Sequence, residues 1–287
     1  MYERLLTLLE LDNIHPTQIQ KVSGGDINDS FQVQTQDGTH LFVKINFPNQ
    51  PIDILISESQ GLEMMGKAGV INIPTGVNLR IHQSDAALIM PFYTPGNTPQ
   101  TSEWMVFFEN LGRMHLLTNE YFGGRNNFIG TLPQINHPRN NWIPFFRENR
   151  LQPQFTLAMD RGYLDRNDLV KFDRLLLRLP EYIPIERPAL IHGDLWSGNI
   201  LSTATKGILM IDACPYYGHR EMDFAMMTLF SGVPVKKDLP SYEEIYPLTP
   251  GLMDRIEIYQ LYYLLTHLNM FGAAYLPGIR RIIHNFS

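Results

Sequence analysis

Ile191-His192-Gly193-Asp194-Leu195-Trp196-Ser197-Gly198-Asn199 is the stretch from which the rest of this 287-residue chain is read. A carboxylate and an amide stand five positions apart on one short, glycine-containing loop. That pairing suits phosphoryl transfer. The Asp accepts or orients the proton of an attacking hydroxyl, and the Asn reaches a magnesium ion from the far side of the loop. Such chemistry calls for a second acidic ligand on a neighbouring strand, holding the metal that bridges the phosphates. Ile208-Leu209-Met210-Ile211-Asp212 supplies one, an apolar strand ending in a carboxylate eighteen residues after Asp194. Magnesium takes few, hard oxygen ligands, so Asn199 and Asp212 with phosphate oxygens and water form a suitable set. Either feature alone is a common accident; the two in register, with His192 and Gly193 also present, are a signal.

The other half of a phosphate site should lie upstream. Val22-Ser23-Gly24-Gly25-Asp26-Ile27-Asn28-Asp29-Ser30 sits between two expected strands, and Gly24 and Gly25 would let backbone N–H groups approach phosphates. A plain hairpin turn is the competing reading of that glycine pair. It gains weight from Leu41-Phe42-Val43-Lys44, a lysine near the end of an apolar strand about twenty residues on. Kinases use such a lysine on the α- and β-phosphates of ATP and pair it with a glutamate on the next helix. Glu58 and Glu63 both lie on the helix expected over Ile54 to Ala68, and Glu58, before the Gly61-Leu62 turn, is the preferred partner. Ala87 to Tyr93 reads as the last strand of this region followed by an adenine-reading hinge. Pro91 has no N–H to give. It can still offer its C=O to the adenine amino group, while Tyr93, two residues on and past Phe92, offers its N–H.

Around these motifs the chain divides. Phe31, Val33 and Leu41 to Ile45 predict strands joined through an Asp37-Gly38 turn, and Val77 to Ile81 predicts another. Tyr93-Thr94-Pro95-Gly96-Asn97-Thr98-Pro99 would end any regular element, which places the lobe boundary there. The expectation is a nucleotide-binding lobe over 1–93 and a catalytic and substrate-binding lobe over 94–287, with chemistry in the cleft between them. Helical periodicity recurs at Trp104, Phe107, Phe108, Leu111, Met114 and His115, again over Leu169 to Leu179, and again over Met253 to Asn269. Phe122 to Gln154, rich in Asn, Pro and Gly, reads as irregular. The fold class expected is α+β, two-lobed and protein-kinase-like, with a small β-rich lobe and a larger helical one.

Composition excludes several classes. With 44% hydrophobic and 18% charged residues the chain is globular, not disordered. A net charge of −6 argues against nucleic acid as the partner. The single cysteine, Cys214, rules out an intramolecular disulfide and cysteine-rich zinc sites. Met1 to Leu11 reads as an amphipathic helix with Leu5, Leu8 and Leu9 on one face, not as a leader, and no apolar run is long enough to span a membrane. These readings make a cytoplasmic protein the expectation.

His192-Gly193-Asp194-Leu195-Trp196-Ser197-Gly198-Asn199 resembles the signature of the fructosamine/ketosamine-3-kinase family, which shares the fold of aminoglycoside and choline kinases. Asn127-Phe128-Ile129-Gly130 with Pro133-Gln134, Trp142 to Phe146 with Arg150-Leu151, Tyr216 to Glu221, Tyr259 to Tyr262 and His267-Leu268-Asn269 resemble it in the same order. The resemblance covers essentially the whole chain. It implies ATP-dependent phosphorylation of the 3-hydroxyl of a ketosamine, the sugar–amine adduct of glycation, and so a role in deglycation. Carried over by position, Asp194 is the base, Asn199 and Asp212 hold Mg2+, Lys44 and Glu58 position the phosphates, and Pro91 to Tyr93 form the hinge. Trp196, two residues after the base, would wall the sugar or its amine substituent, with a packing tryptophan as the alternative. His267 is a second substrate-side candidate, with a satisfied core histidine as its alternative. His219, Arg220, Glu221 and Asp223 read as a charged network propping the metal loop.

Two departures stand out. Many members of that family carry a cysteine where this chain has Asp26, which argues against a redox switch through an intersubunit disulfide there. After Asp212 the family's usual Pro-Ala is replaced by Ala213-Cys214-Pro215, which alters the loop without removing a ligand. An aminoglycoside- or choline-type kinase and a non-catalytic nucleotide-binding module are the competing functions. No closing motif of a polypeptide-binding activation segment follows Asp212, which disfavours a protein kinase. The amine carrier, ribulosamine against fructosamine, and the oligomeric state stay open at this level.

Overall fold

The alternation of Phe31 and Val33, and of Val43 and Ile45, becomes two central strands of one antiparallel sheet. The computed structural model describes residues 2–22 and 28–287, which form two compact units: Met1–Glu103 with Ile200–Ala213, and Trp104–Asn199 with Cys214–Ser287. Gly24, Gly25 and Asp26 lie outside the described residues.

The first unit opens with α1 (Tyr2–Glu10), then β1 (Pro16–Lys21), β2 (Asn28–Thr35), β3 (His40–Asn46), α2 (Asp53–Ala68), β4 (Asn78–His82) and β5 (Asp85–Pro91). The strand order is β1-β2-β3-β5-β4. The β2–β3 turn is the one expected at Asp37-Gly38, with Gly38 at φ 83° and its N–H donated to Thr35. Asn28, Asp29 and Ser30, read from sequence as loop, already belong to β2. Leu5, Leu8 and Leu9 of α1 bury against Phe31, Val33, Val43, Ile45, Ala87 and Ile89. Since successive strand side chains alternate faces, Lys44 points away from that core, and α2 supplies its partner there. Ile54, Leu55, Leu62 and Met65 bury α2, and Gly69 at φ 68° ends it in the left-handed conformation.

Pro91 sits in β5 without damaging the sheet. Phe92 donates its N–H to His40 C=O at 2.9 Å, so the next pair, Leu41 opposite Pro91, is a non-hydrogen-bonded one that needs no N–H from the proline.

The second unit is mainly helical: α3 (Thr101–His115), the hairpin β6 (Asn127–Ile129) and β7 (Leu132–Gln134), α4 (Trp142–Phe146), a π-helical turn (Arg147–Leu151), α5 (Gln152–Asp160), α6 (Arg166–Tyr182) and β8 (Ala189–Ile191). β9 (Ile200–Thr203) and β10 (Gly207–Met210) then form an antiparallel hairpin that belongs to the first unit. There Met210 N–H bonds Asn72 C=O, and Gly96 N–H bonds Ser202 C=O. A side chain at Gly96 would come 2.8 Å from the Thr203 backbone. The chain returns to the second unit with β11 (Tyr216–Gly218), paired with β8, then α7 (Glu221–Leu229), α8 (Val235–Glu243), α9 (Leu252–Phe271) and α10 (Leu276–Asn285).

Phe122 to Gln154 is more ordered than its composition predicts. Trp142 stacks on Phe145 and Phe146, and the wholly buried Arg150 guanidinium lies 4.1 Å from the Tyr216 ring centre and 4.7 Å from that of Phe145. Elements of three to five residues are too short to show a period, so burial of these large side chains, not patterning, organises the segment.

Candidate active site

The first unit holds the candidate phosphate-binding residues. Lys44 is buried on β3, and its Nζ lies 2.8 Å from Glu58 Oε1 on α2 and 2.7 Å from Asp212 Oδ1 just beyond β10. Glu63, the other glutamate considered, instead bonds the exposed Lys67. Burial works against the Lys44 charge, but Asp212 and Glu58 outweigh it and hold the ammonium above its usual range. Burial likewise pushes the Glu58 carboxyl up to about 7, with Lys44 pulling it down and Asp212 adding to the rise. Asp212 has φ 54°, a left-handed conformation that short polar side chains tolerate better than most. At the end of β5, Pro91 is exposed while Phe92 and Tyr93 are half-buried. The Tyr93 hydroxyl accepts from Thr75 N–H at 3.0 Å.

The second unit holds the loop that follows β8. Asn199 Nδ2 donates to Asp194 C=O at 2.8 Å and to Asp194 Oδ2 at 3.1 Å, so the two residues spaced by five in sequence meet in space. Asp194 N–H points to His192 Nδ1 at 3.2 Å. The start of the loop hangs on Asp223 of α7, whose Oδ2 and Oδ1 accept from the N–H groups of His192 and Gly193 at 2.8 and 3.0 Å. Tyr263 of α9 donates its hydroxyl to Gly193 C=O, and Cys214 N–H donates to His192 C=O, both at 3.0 Å. Only glycine fits at 193: φ is 85°, and a Cβ would lie 2.5 Å from Cys214 O. Gly198 is needed for a different reason, since a Cβ there would meet the Trp196 indole at 2.4 Å.

Trp196 and His267, far apart in sequence, share a neighbour. The Phe230 ring lies 5.7 Å from Trp196 and 5.1 Å from His267, and Tyr275 closes on His267 at 5.1 Å. His267 Nδ1 bonds Tyr263 C=O at 2.7 Å, and burial lowers its proton affinity. Sequence reading missed Phe230 and Tyr275, since a lone aromatic past a helix end carries no local mark. Of the four charged residues expected to prop the loop, Asp223 bonds it directly. Arg220 pairs with Glu186 and Glu221 with Arg255, both bidentate, bracing the start of α7.

Among the described residues no group of three or more His, Cys, Asp or Glu forms a ready metal cage. In the first unit Asp212 holds a cationic group at 2.7 Å, as a carboxylate ligand of a hard divalent cation would. In the second unit Asn199, its Nδ2 engaged by Asp194, has Oδ1 as its acceptor end. Among the described residues no helix is long and apolar enough to cross a membrane.

The chain is similar to known proteins over nearly its whole length. A protein of Lactiplantibacillus plantarum assigned as a ketoamine kinase is 34% identical over 272 residues, covering 94% of each chain. A chloroplastic protein-ribulosamine 3-kinase of Arabidopsis thaliana is 33% identical, covering 94% of this chain and 82% of its own. A crystal structure from Thermobifida fusca, assigned as a fructosamine-3-kinase, superposes with a TM-score of 0.83 at 31% identity, over 97% of this chain and 96% of that one. The α+β, protein-kinase-like fold is therefore shared with phosphotransferases. The sequence profile described as Fructosamine kinase matches residues 2–287, and the chain belongs to the fructosamine kinase family.

Proposed function

We propose that this protein transfers the γ-phosphoryl group of ATP to the 3-hydroxyl of a ketosamine, with Lys44, Glu58 and Asp212 serving the nucleotide and Asp194 and Asn199 serving the acceptor. Membership of the fructosamine kinase family supports ATP-dependent phosphorylation of ketosamines. The observation that carries the assignment of residues is the Lys44 ammonium shared between Glu58 and Asp212 at 2.8 and 2.7 Å. One buried cation facing two carboxylates has one partner more than its charge needs, and can exchange a carboxylate for phosphate oxygens. Glu58 keeps Lys44 aimed at the α- and β-phosphates, and Asp212 would hold a divalent cation. Mg2+ held by Asn199 and Asp212 would neutralise the phosphate charge. Asp194 orients the acceptor hydroxyl, with the Asn199 amide steadying its carboxylate. The transition state is loose, so positioning and electrostatics supply most of the acceleration. Pro91 C=O and Tyr93 N–H read adenine on either side of Phe92, whose N–H is committed to His40.

The division into a nucleotide lobe over 1–93 and a catalytic lobe over 94–287, the Gly24-Gly25 phosphate contact and the roles of Trp196 and His267 belong to the same proposal. So does a cytoplasmic setting, where ATP and glycated amines meet. The plant relative's name supports a ribulosamine as one substrate to test. The test is ADP release with Mg-ATP on ribulosyl-lysine, fructosyl-lysine, choline and an aminoglycoside, with the parent protein and with Asp194→Asn. Turnover on a ketosamine that is lost in the variant supports the proposal. Turnover confined to choline or the aminoglycoside overturns the substrate.

A further inference from the structure

The placement of the loop bearing Asp194 depends on Asp223, and Asp223 is itself held from behind. Besides the two loop N–H groups, its Oδ2 has a third neighbour, Nε2 of the wholly buried His115 on α3, at 3.2 Å. The other nitrogen of that ring, Nδ1, is 2.9 Å from the hydroxyl of Tyr242 on α8. Tyr242 is in turn 3.4 Å from Arg220 Nη1. Arg220 is locked on Glu186 at 2.8 and 2.7 Å and donates to the carbonyls of Tyr246 and Pro247.

The ends of this line fix the direction of every bond in it. A guanidinium only donates, so Tyr242 accepts from Arg220 and turns its own O–H to His115 Nδ1. With Nδ1 accepting, the ring proton resides on Nε2 and is donated to the Asp223 carboxylate, which only accepts. Burial pushes the Tyr242 phenol up and keeps it a donor. Side-chain hydrogen bonds that polarise one another along a buried line strengthen each link. The line Glu186, Arg220, Tyr242, His115, Asp223 ends on the backbone of the two residues that precede Asp194.

We infer that Tyr242 and His115 are positioning residues for phosphoryl transfer, holding Asp194 in register through Asp223 without touching nucleotide or acceptor. The inference rests on Asp194 as the proposed base. It explains why a histidine and a tyrosine hydroxyl, each costly to bury unpaired, are buried as consecutive links of one hydrogen-bonded line.

The test compares Tyr242→Phe, which removes one hydroxyl and keeps the ring, with His115→Leu and His115→Gln, whose amide can accept from Tyr242 and donate to Asp223. Turnover is expressed per nucleotide-binding site, so loss of folded protein does not count as loss of rate. Tyr242→Phe should lower kcat about 10-fold with the KM for ATP unchanged within about 2-fold. His115→Leu should lose more, and His115→Gln should recover most of the loss. In the parent protein at neutral pH, the 15N signal of His115 should report a bare Nδ1 and a protonated Nε2. A kcat per site unchanged within about 2-fold in both Tyr242→Phe and His115→Leu would overturn the inference, as would a protonated Nδ1. Asp194→Asn is run alongside: full turnover in that variant defeats the functional proposal itself, whereas its loss beside unaffected Tyr242→Phe and His115→Leu defeats only the positioning line.

Discussion

Lys44 and Asp194 sit in different units and are held by different physics. Around Lys44 the contacts are charge to charge: one ammonium and two carboxylates, with Asp212 still 40% exposed along its side chain. Around Asp194 they are mostly backbone N–H groups, amides and hydroxyls, hung on the fully buried carboxylate of Asp223. The first arrangement, one positive charge against two carboxylates, is held by charge and, on the proposed function, exchanges a partner when a phosphate or a cation arrives. The second is a fixed geometry with little to exchange. On the proposed function, accepting a highly charged nucleotide calls on the first kind of support and aiming a neutral hydroxyl on the second.

The contrast predicts separable kinetic defects. The largest effect is expected for Asp194→Asn, which should cut kcat by about 10²–10⁴-fold while the KM for ATP stays nearly constant, as measured by ADP release. Undiminished turnover would remove Asp194 from the mechanism. Lys44→Met should strike the other kinetic constant, raising the KM for ATP so that kcat/KM falls about 10–100-fold through loss of charged hydrogen bonds. If instead it lowered kcat alone, the exchangeable reading of the Lys44 cluster would fall.

Two glycines with nearly the same backbone conformation sharpen the comparison further. Gly193 has φ 85° with Cys214 O 2.5 Å from any added Cβ, whereas Gly38 has φ 83° with nothing within 4 Å. Gly193→Ala should cost about 2–4 kcal/mol of stability and depress turnover, and Gly38→Ala about 1 kcal/mol from backbone strain alone with turnover intact. Chemical denaturation beside kinetics checks both. Equal costs would mean that the catalytic loop is less tightly built than its contacts indicate.

The smallest effect concerns pH. Burial lowers the proton affinity of His219 against the opposing pull of Glu221 and Glu186. Its Nδ1 accepts from Glu221 N–H at 3.3 Å and its Nε2 faces Pro184 C=O at the same distance, which is the neutral ring satisfied at both ends. A depressed folded-state value means that its contribution is present above the unfolded value of 6.5 and is lost as pH falls below it. His219→Gln should therefore flatten the acid side of the stability–pH curve, read from denaturation midpoints between neutral pH and pH 5. An unchanged slope would assign that loss to other groups.

The readability of the site followed sequence distance. Asp194 and Asn199 were legible because their contact is made within one loop, where spacing alone constrains geometry. Lys44 on β3 and Glu58 on α2 were legible because strand alternation and helix placement follow from local pattern. Phe230, Tyr275, His115 and Tyr242 were not singled out for the site, although each lies within a ring contact or hydrogen bond of a residue that was. Their partners lie tens of residues away, and neither period nor motif records such a meeting. Phe122 to Gln154 hid its order for a related reason, since its elements are held by an arginine among aromatic rings and not by their own periodicity.

By itself, then, the sequence determined the chemical inventory: a carboxylate and an amide five residues apart, a strand-borne lysine, a strand ending in a carboxylate, and glycines where the backbone turns. Only the tertiary structure decided that Ile200–Ala213 joins the first unit, that Asp212 meets Lys44 across 168 positions, and that one carboxylate of α7 fixes the approach to Asp194. The physical reason is range. Backbone propensity and side-chain alternation act over a few residues, whereas burial and charge pairing select contacts by proximity in space, whatever the separation along the chain.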